Sequence, residues 1–157
     1  MPRLDVRFVN PILGALVDIL QQTANLTTQP GTPSLKTDDI ARGYITGVIS
    51  MDSPSFKSSV AISFGEETAL ALAERTLQKR PDKIDGAVVD MVGELTNMLA
   101  GRAAALLNQE RDFVKLVLPN IIIGPEHMLA HRVHGPKILL PFTSEIGEIY
   151  VEMCWRE

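Results

Sequence analysis

The 157-residue chain is predicted to be an α+β protein in which a mostly antiparallel sheet packs with three helices, one of them long. Apolar residues recur at helical spacing in three segments and alternate along several others, which distinguishes helices from strands. The order of these segments, α-ββ-α-α-ββββ, groups neighbouring strands as an antiparallel sheet requires. The length is typical of one domain, so we expect a single domain over residues 1–157.

The first half of the chain predicts a helix, a loop and a hairpin. Asn10-Pro11 is expected to open the first helix, because asparagine is a good N-cap and proline fits the first helical position. Apolar residues at helical spacing carry this helix to about Gln22, namely Ile12, Leu13, Leu16, Ile19 and Leu20. Residues 23–34 are rich in turn formers and are expected to be a loop. Residues 40–50 and 56–64 alternate as strands do, and turn residues 51–55 join them.

The second half predicts two helices and a run of strands. One helix is expected over 66–77, where acidic residues in the first turn complement the helix dipole. The next, over about 85–108, would be roughly 36 Å long. Strands are expected at 113–118, 120–123, near Arg132, at 137–142 and at 148–155, with a turn at 145–147. Pro119 and Pro141 should lie at strand ends, bulges or edges.

The composition excludes several classes of function. Lys and Arg total 15 against 19 Asp and Glu, which argues against nucleic-acid binding through clustered cations. No apolar run approaches the roughly 20 residues that span a bilayer, and the N-terminus lacks an apolar signal core, so we expect no membrane insertion. The single cysteine, Cys154, cannot form an intramolecular disulfide. A reducing, cytoplasmic location is therefore expected.

Standard cofactor and metal motifs are missing from the sequence. It has no GxGxxG, GxxxxGK[ST] or HExxH pattern, so we expect no cofactor and no metal of its own. His127, His131 and His134 lie close together, but glycine-proline pairs flank them, which favours a solvated loop over a metal site. Cys154 is expected to be a thiol on a sheet face, since no motif marks a base that would activate it.

The long helix carries the candidate site. At 100° per residue, four positions fall within a stripe roughly 60° wide: Asp90, Glu94, Asn97 and Gly101. The opposite side is the expected core face and holds Leu95, Leu99, Ala103 and Leu106. Simple solvation of a polar helix face is the alternative. The stripe, however, is bordered by small residues where a solvated face usually has long charged ones: Gly86, Ala87, Gly93, Ala100, Gly101, Ala104 and Ala105.

Small residues around short polar groups would form a shallow groove that another backbone can approach. Asn97 cannot serve as a general base, because its amide does not titrate, but it can orient a water molecule. Phosphoryl transfer depends mainly on such positioning. Glu94 could hold a cation of the partner. This combination favours a phosphatase whose partner brings the phosphate and the metal.

The spacing of these residues resembles that of a known family. Asp90, Glu94, Asn97 and Pro119 fit an acidic residue, three residues, Glu, two residues, Asn, and Pro 22 positions later. In this pattern the chain is similar to the CheC/CheX/FliY phosphatases of bacterial chemotaxis. Residues 8–14, 63–64 and 67–70 extend the resemblance over nearly the whole chain. The first helix has no second ExxN motif, as in CheX-like members, which implies one site per protomer.

The resemblance implies a CheC/CheX-like fold and dephosphorylation of phospho-aspartate on a CheY-like receiver domain of a response regulator. Asn97 would orient the attacking water, and Glu94 would pair with the receiver's lysine. Mg²⁺ would belong to the receiver. Asp90, peripheral to the chemistry, is expected to contact the partner together with Gly93, Gly101 and Pro119. A homodimer joined through its sheet is also implied.

Two other functions remain open at this stage. A non-catalytic binding or adaptor module of the chemotaxis or flagellar switch machinery could use the same stripe only for docking. A small-molecule sensor could use the groove, although nothing in the sequence specifies a ligand.

Overall fold

The computed structural model describes residues 6–52, 57–108, 115–116, 119–129, 131, 133 and 135–156. Within these residues lie three helices, α1 (Val6–Ala24), α2 (Glu66–Leu77) and α3 (Gly86–Asn108). The strands are β1 (Gln29–Pro30), β2 (Ser34–Leu35), β3 (Ile45–Asp52), β4 (Lys57–Phe64), β5 (Lys115–Leu116), β6 (Asn120–Ile123), β7 (Lys137–Thr143) and β8 (Ile149–Arg156). The predicted α+β class, with three helices and an antiparallel sheet, is confirmed. No helix in the described ranges is long and apolar enough to cross a membrane.

The strands form one sheet in the order β1-β7-β8-β4-β3-β5, with β2 also paired to β7 and β6 also paired to β3. Every pairing is antiparallel. Rows of side chains cross the sheet because partners in register share a face. One such row, buried in the main core together with the apolar sides of the helices, consists of Ile49, Val60, Met153 and Ile138. The helices therefore cover this face of the sheet.

Most predicted elements agree with the structure, and three differ. The helix α2 and the strand β6 have the predicted bounds, and β7 and β8 agree within one residue. Pro11, however, lies inside α1 and does not begin it. Proline has no N–H, so one helical hydrogen bond is missing at Pro11. The burial of Val9, which precedes Pro11, helps to offset this loss and keeps the first turn helical. The predicted loop 23–34 contains β1 and part of β2, which pair with β7.

The third difference is the start of β3, which begins at Ile45 and not at residue 40. Ile40 instead forms an isolated bridge with Met128. The chain bends at residues 42–44 and passes close to the end of β4, where a Cβ at Gly43 would lie 2.6 Å from the Phe64 carbonyl oxygen. Pro119 lies directly before β6, at a strand end as predicted. The same prediction is wrong for Pro141, which lies inside β7 between β1 and β8, where its carbonyl accepts the Gly31 N–H at 2.7 Å. The predicted strand near Arg132 lies outside the described residues.

Helix α3 lies directly against the sheet at Gly47 of β3. A Cβ added to Gly47 would be 2.0 Å from Thr96 Oγ1. Thr96 is fully buried, and its hydroxyl donates a hydrogen bond to the Val92 carbonyl at 2.7 Å. The hydroxyl is therefore satisfied within its own helix, and the missing side chain at Gly47 makes room for it. This contact sets both the distance of α3 from the sheet and its rotation.

The other face of the sheet holds a buried polar network. Lys36 Nζ forms an ion pair with Glu152 Oε1, and both side chains are buried. The second oxygen of Glu152 lies 3.2 Å from His131 Nε2. A hydrogen bond of 2.7 Å joins His131 Nδ1 to Ser59 Oγ. A buried charge is tolerated only when it is paired and hydrogen-bonded, and this arrangement meets that condition.

The predicted solvated loop for the three histidines is therefore wrong for His131, whose side chain is only 2% exposed. His127 is half-buried and bonds to Thr46 Oγ1 at 2.7 Å. The reason is that the segment after β6 folds back over the sheet, where Leu129 is completely buried. His134 lies outside the described residues.

Cys154 has the predicted place on a sheet face. It is buried on β8, and its thiol donates to the Val133 carbonyl at 3.1 Å. Burial raises the pKa of this thiol above its ordinary value. The structure thus gives Cys154 the properties of an unreactive core residue.

We expect Gly47→Ala to lower the free energy of unfolding, because its Cβ would overlap Thr96. Overpacking of this kind costs about 1–3 kcal/mol, measured by urea unfolding. Adding Thr96→Ala should recover part of the loss, and strict additivity of the two changes would contradict the contact. Gly14→Ala is the control: Gly14 is exposed in α1 with no atom within 4 Å of its added Cβ, so alanine should stabilise the helix.

We expect Lys36→Met to be strongly destabilising, because it leaves the Glu152 carboxylate buried without its cation. Breaking one side of a buried ion pair costs about 3–5 kcal/mol. Arg80→Met is the matched control, since it removes the partner of Glu67 in an exposed ion pair and should cost less than about 1 kcal/mol. Thermal unfolding of both variants measures the difference, and equal losses would show that the buried network does not stabilise the fold.

Candidate functional site

Asp85 fixes the beginning of α3, the helix that carries the candidate site. Its Oδ1 accepts a hydrogen bond from the Val88 N–H at 3.1 Å, and its carbonyl accepts one from the Val89 N–H at 3.0 Å. This is the geometry of an N-cap aspartate. The helix therefore begins at Gly86, one residue after the predicted start.

The buried side of α3 orients the rest of the helix. The predicted core residues Leu95, Leu99 and Ala103 are buried, together with Val88 and Val92. They pack in the main core between the helices and the sheet. The side chain of Leu106 is outside the described part of the structure. With this side fixed, the opposite side must face outward.

Asp90, Glu94 and Asn97 are all exposed, as the stripe prediction requires. Their spacing of four and three residues places them on successive turns of one face, over roughly 10 Å of helix. None of the three side chains forms a hydrogen bond or ion pair with another described residue. Two carboxylates and one amide are thus available to a partner. Gly101, half-buried, continues the same face.

The predicted border of small residues is only partly exposed. Gly86, Ala87 and Ala105 are exposed, but Ala100 and Ala104 are buried in the core. The prediction was wrong for those two residues. They share one side of the helix with Gly93, whose added Cβ would lie 3.8 Å from Ile121 Cδ1 of β6. On that side the small residues bring α3 close to the sheet, and the open surface is narrower than expected.

Pro119 and Gly93 are connected to the site through β6. Pro119 is half-buried at the start of this strand, and Ile121, two residues later, is the residue that approaches Gly93. Because β6 pairs with β3 from Asn120 to Ile123, its position follows that of the sheet. The structure thus brings the strand after Pro119 to the helix, while no direct contact of Pro119 with Asn97 is described.

A second groove, distinct from the shallow one predicted among the small residues, lies beside the stripe and was not predicted from the sequence. It has a volume of about 490 Å³ and lies between α3 and the ends of α1 and α2. Asp90 and Glu94 line it together with apolar side chains that include Leu77 and Met98. One signal pointed to it: Leu77 continues the buried row of Ala69 and Ala73 at a spacing of four residues, to the very end of α2.

The chemistry available at this site is that of binding and orientation. Among the described residues, no three His, Cys, Asp or Glu side chains are grouped so that they could hold a metal ion. Glu94 can pair with a cation, and the Asn97 amide can both donate and accept hydrogen bonds. The site can therefore position a water molecule and a partner's charged group against each other.

The chain is similar to several known proteins. The family described as "Chemotaxis phosphatase CheX" matches residues 45–143, a range that contains Asp90, Glu94, Asn97 and Pro119. A CheC-like superfamily protein of Shewanella sp. PV-4 is 38% identical, with a TM-score of 0.91 over 98% of this chain and 100% of that chain.

Two further proteins are more distantly similar. The CheY-P phosphatase CheX of Thermotoga maritima is 26% identical over 155 residues, which are 96% of this chain and 97% of that protein. A chain in the structure of the CheX-CheY-BeF3-Mg²⁺ complex from Borrelia burgdorferi is 22% identical. Its TM-score is 0.82, over 99% of this chain and 100% of that chain, which shows the same fold.

Proposed function

Because the chain belongs to the CheX family of chemotaxis phosphatases, we propose that it hydrolyses the phospho-aspartate of a CheY-type receiver domain. The observation that carries this proposal is the exposed pair Glu94 and Asn97 on α3, three residues apart and without partners among the described residues. The similarity to the Thermotoga CheY-P phosphatase supports the same activity.

In this mechanism, the chain supplies orientation and the receiver supplies the reactive groups. The Asn97 amide would hold a water molecule in line with the acyl phosphate, and Glu94 would pair with the receiver's active-site lysine. Phosphoryl transfer needs positioning and charge stabilisation more than covalent help, so these two groups are sufficient. Mg²⁺ held by the receiver would neutralise charge on the phosphoryl group, in keeping with the Mg²⁺ of the Borrelia CheX-CheY complex.

The residues around this pair would form the receiver-binding surface. Asp90 would contact the receiver at the edge of the site, and Gly93 and Gly101 would let its backbone come close. Pro119 would shape the neighbouring segment before β6. We further propose that residues 1–157 act as one domain, that the chain is a homodimer, and that it acts in the cytoplasm, where it would meet its receiver.

We expect Asn97→Ala and Glu94→Ala each to lower phosphate release from a phosphorylated receiver by about 100-fold, because loss of one positioning group costs about that factor. Phosphate release is measured with a panel of phosphorylated receivers. Glu74→Ala, which removes an exposed glutamate from α2, is the control and should leave the rate unchanged.

Asn97→Asp separates catalysis from simple docking. It preserves the size of the side chain but replaces the amide donors by a carboxylate that repels the phosphoryl group. A phosphatase loses turnover on this change, whereas an adaptor that only docks keeps its affinity. If the wild-type chain does not accelerate phosphate hydrolysis for any receiver of the panel, the result would support the adaptor function instead.

We expect Gly101→Leu to raise KM while the melting temperature stays near that of the wild type. A Cβ at Gly101 meets no atom within 4 Å, so the fold has room where the new side chain begins, whereas a receiver backbone lying on Gly101 would be displaced. Gly14→Leu is the control, because Gly14 has the same open surroundings on α1. Equal KM values for the two variants would exclude Gly101 from the receiver-binding surface.

A further inference from the structure

The groove beside the stripe shares a residue with the proposed catalytic pair. Glu94 lines the groove and also belongs to the stripe, and Asp90 lines it one turn away. A receiver whose lysine reaches Glu94 must therefore cover the rim of the groove. The two surfaces are continuous, and a partner that binds one of them meets the other.

The groove combines apolar walls with negative charge. Leu77, Met91, Leu95 and Met98 contribute apolar surface, and Asp90 and Glu94 contribute two carboxylates. None of the described side chains that line it is basic. Arg75, on the same helix as Leu77, is engaged elsewhere: it donates to the Asn25 carbonyl at 3.0 Å and pairs with Glu145. Arg75 therefore does not neutralise the Asp90 and Glu94 carboxylates of the groove.

Leu77 is the apolar side chain of the groove from which a partner could remove much exposed surface. It is 46% exposed at the end of α2, although it continues that helix's buried row. Its neighbour Thr76 contacts Met91 Sδ at 3.3 Å and bonds to the Leu72 carbonyl at 3.2 Å, which ties the end of α2 to α3. The wall formed by Leu77 is thus held in place before any partner binds.

We propose that this groove seats an apolar side chain of the phosphorylated receiver while Asp90 pairs with a lysine or arginine beside it. The inference rests on the proposed function and names the surface that the receiver must present: an aliphatic or aromatic residue next to a cation. Binding at this second point sets the register of the receiver along α3. The receiver's lysine then meets Glu94, and its phosphate meets Asn97.

The test compares Leu77→Ser with Leu35→Ser. Leu35 is a matched control, since it is 43% exposed on β2 and does not line the groove. Affinity is measured by calorimetry with a receiver activated by beryllofluoride, and KM and kcat are measured with the phosphorylated receiver. Leu77→Ser should weaken affinity and raise KM by about 10-fold, with kcat unchanged, because it removes one buried apolar contact. Leu35→Ser should change neither.

Asp90→Asn tests the electrostatic part of the inference. It should raise KM at low ionic strength, and the difference from the wild type should shrink in high salt, because salt screens an exposed ion pair. A KM that is equal to the wild-type value at every ionic strength would overturn the cation-binding role of Asp90.

The outcomes separate the groove from the catalytic proposal. If the wild type hydrolyses the phosphate but Leu77→Ser behaves like Leu35→Ser, the groove inference is overturned and the proposed function stands. If the receiver binds in a Leu77-dependent manner without hydrolysis, the groove is supported and the phosphatase proposal fails. If Leu77→Ser instead changes the sedimentation coefficient of the chain alone, the groove belongs to a second copy and the inference is overturned.

Discussion

The contact between Gly47 and Thr96 is the constraint on which the site depends. A side chain at Gly47 would overlap the Thr96 hydroxyl, so α3 can lie directly on β3 only because residue 47 is glycine. Once Thr96 faces the sheet, the 3.6-residue repeat of the helix determines where every other residue of α3 points. Glu94 and Asn97, on either side of Thr96 along the chain, are then directed away from the core. The position of the proposed catalytic pair thus follows from a packing contact on the far side of the same helix.

The two faces of the sheet are covered by different kinds of residue. One face of the sheet and the helices form an apolar core against which α3 is packed. The other face is closed by a polar network in which Lys36, Glu152 and His131 satisfy one another. Among the described residues, the exposed Asp90, Glu94 and Asn97 lie on neither of these faces. They lie on the outer side of α3. Because the inner side of α3 is packed on the core, the backbone positions of Glu94 and Asn97 are fixed relative to each other.

Local sequence signals predicted the parts of the structure that are locally determined. The bounds of α2 follow from acidic residues at its start and a proline-containing break after it, and the outward stripe follows from helical periodicity. Pro11 misled the prediction of α1, because burial of Val9 outweighs a local preference. The burial of Ala100 and Ala104 could not be predicted, since it depends on contacts with parts of the chain that are distant in sequence.

Contacts between distant parts of the chain account for the remaining differences. Lys36 and Glu152 are 116 residues apart in the sequence, and no periodicity relates them, so the burial of His131 beside them had no local signal. The groove likewise arises only when the end of α2 meets α3. The exposed stripe of Asp90, Glu94 and Asn97 was thus predictable from one helix alone, whereas the groove beside it was not.

The lifetime of the aspartyl phosphate on a CheY-type receiver tests the central claim most directly. It is measured with the full chain present at a small fraction of the receiver concentration, so that only a catalyst can clear the phosphate. The account predicts a lifetime that shortens in proportion to the amount of wild-type chain and that returns to the receiver's own value with Asn97→Ala, although this variant folds normally. If Asn97→Ala shortens the phosphate lifetime as effectively as the wild type does, the proposed catalytic role of Asn97 is contradicted.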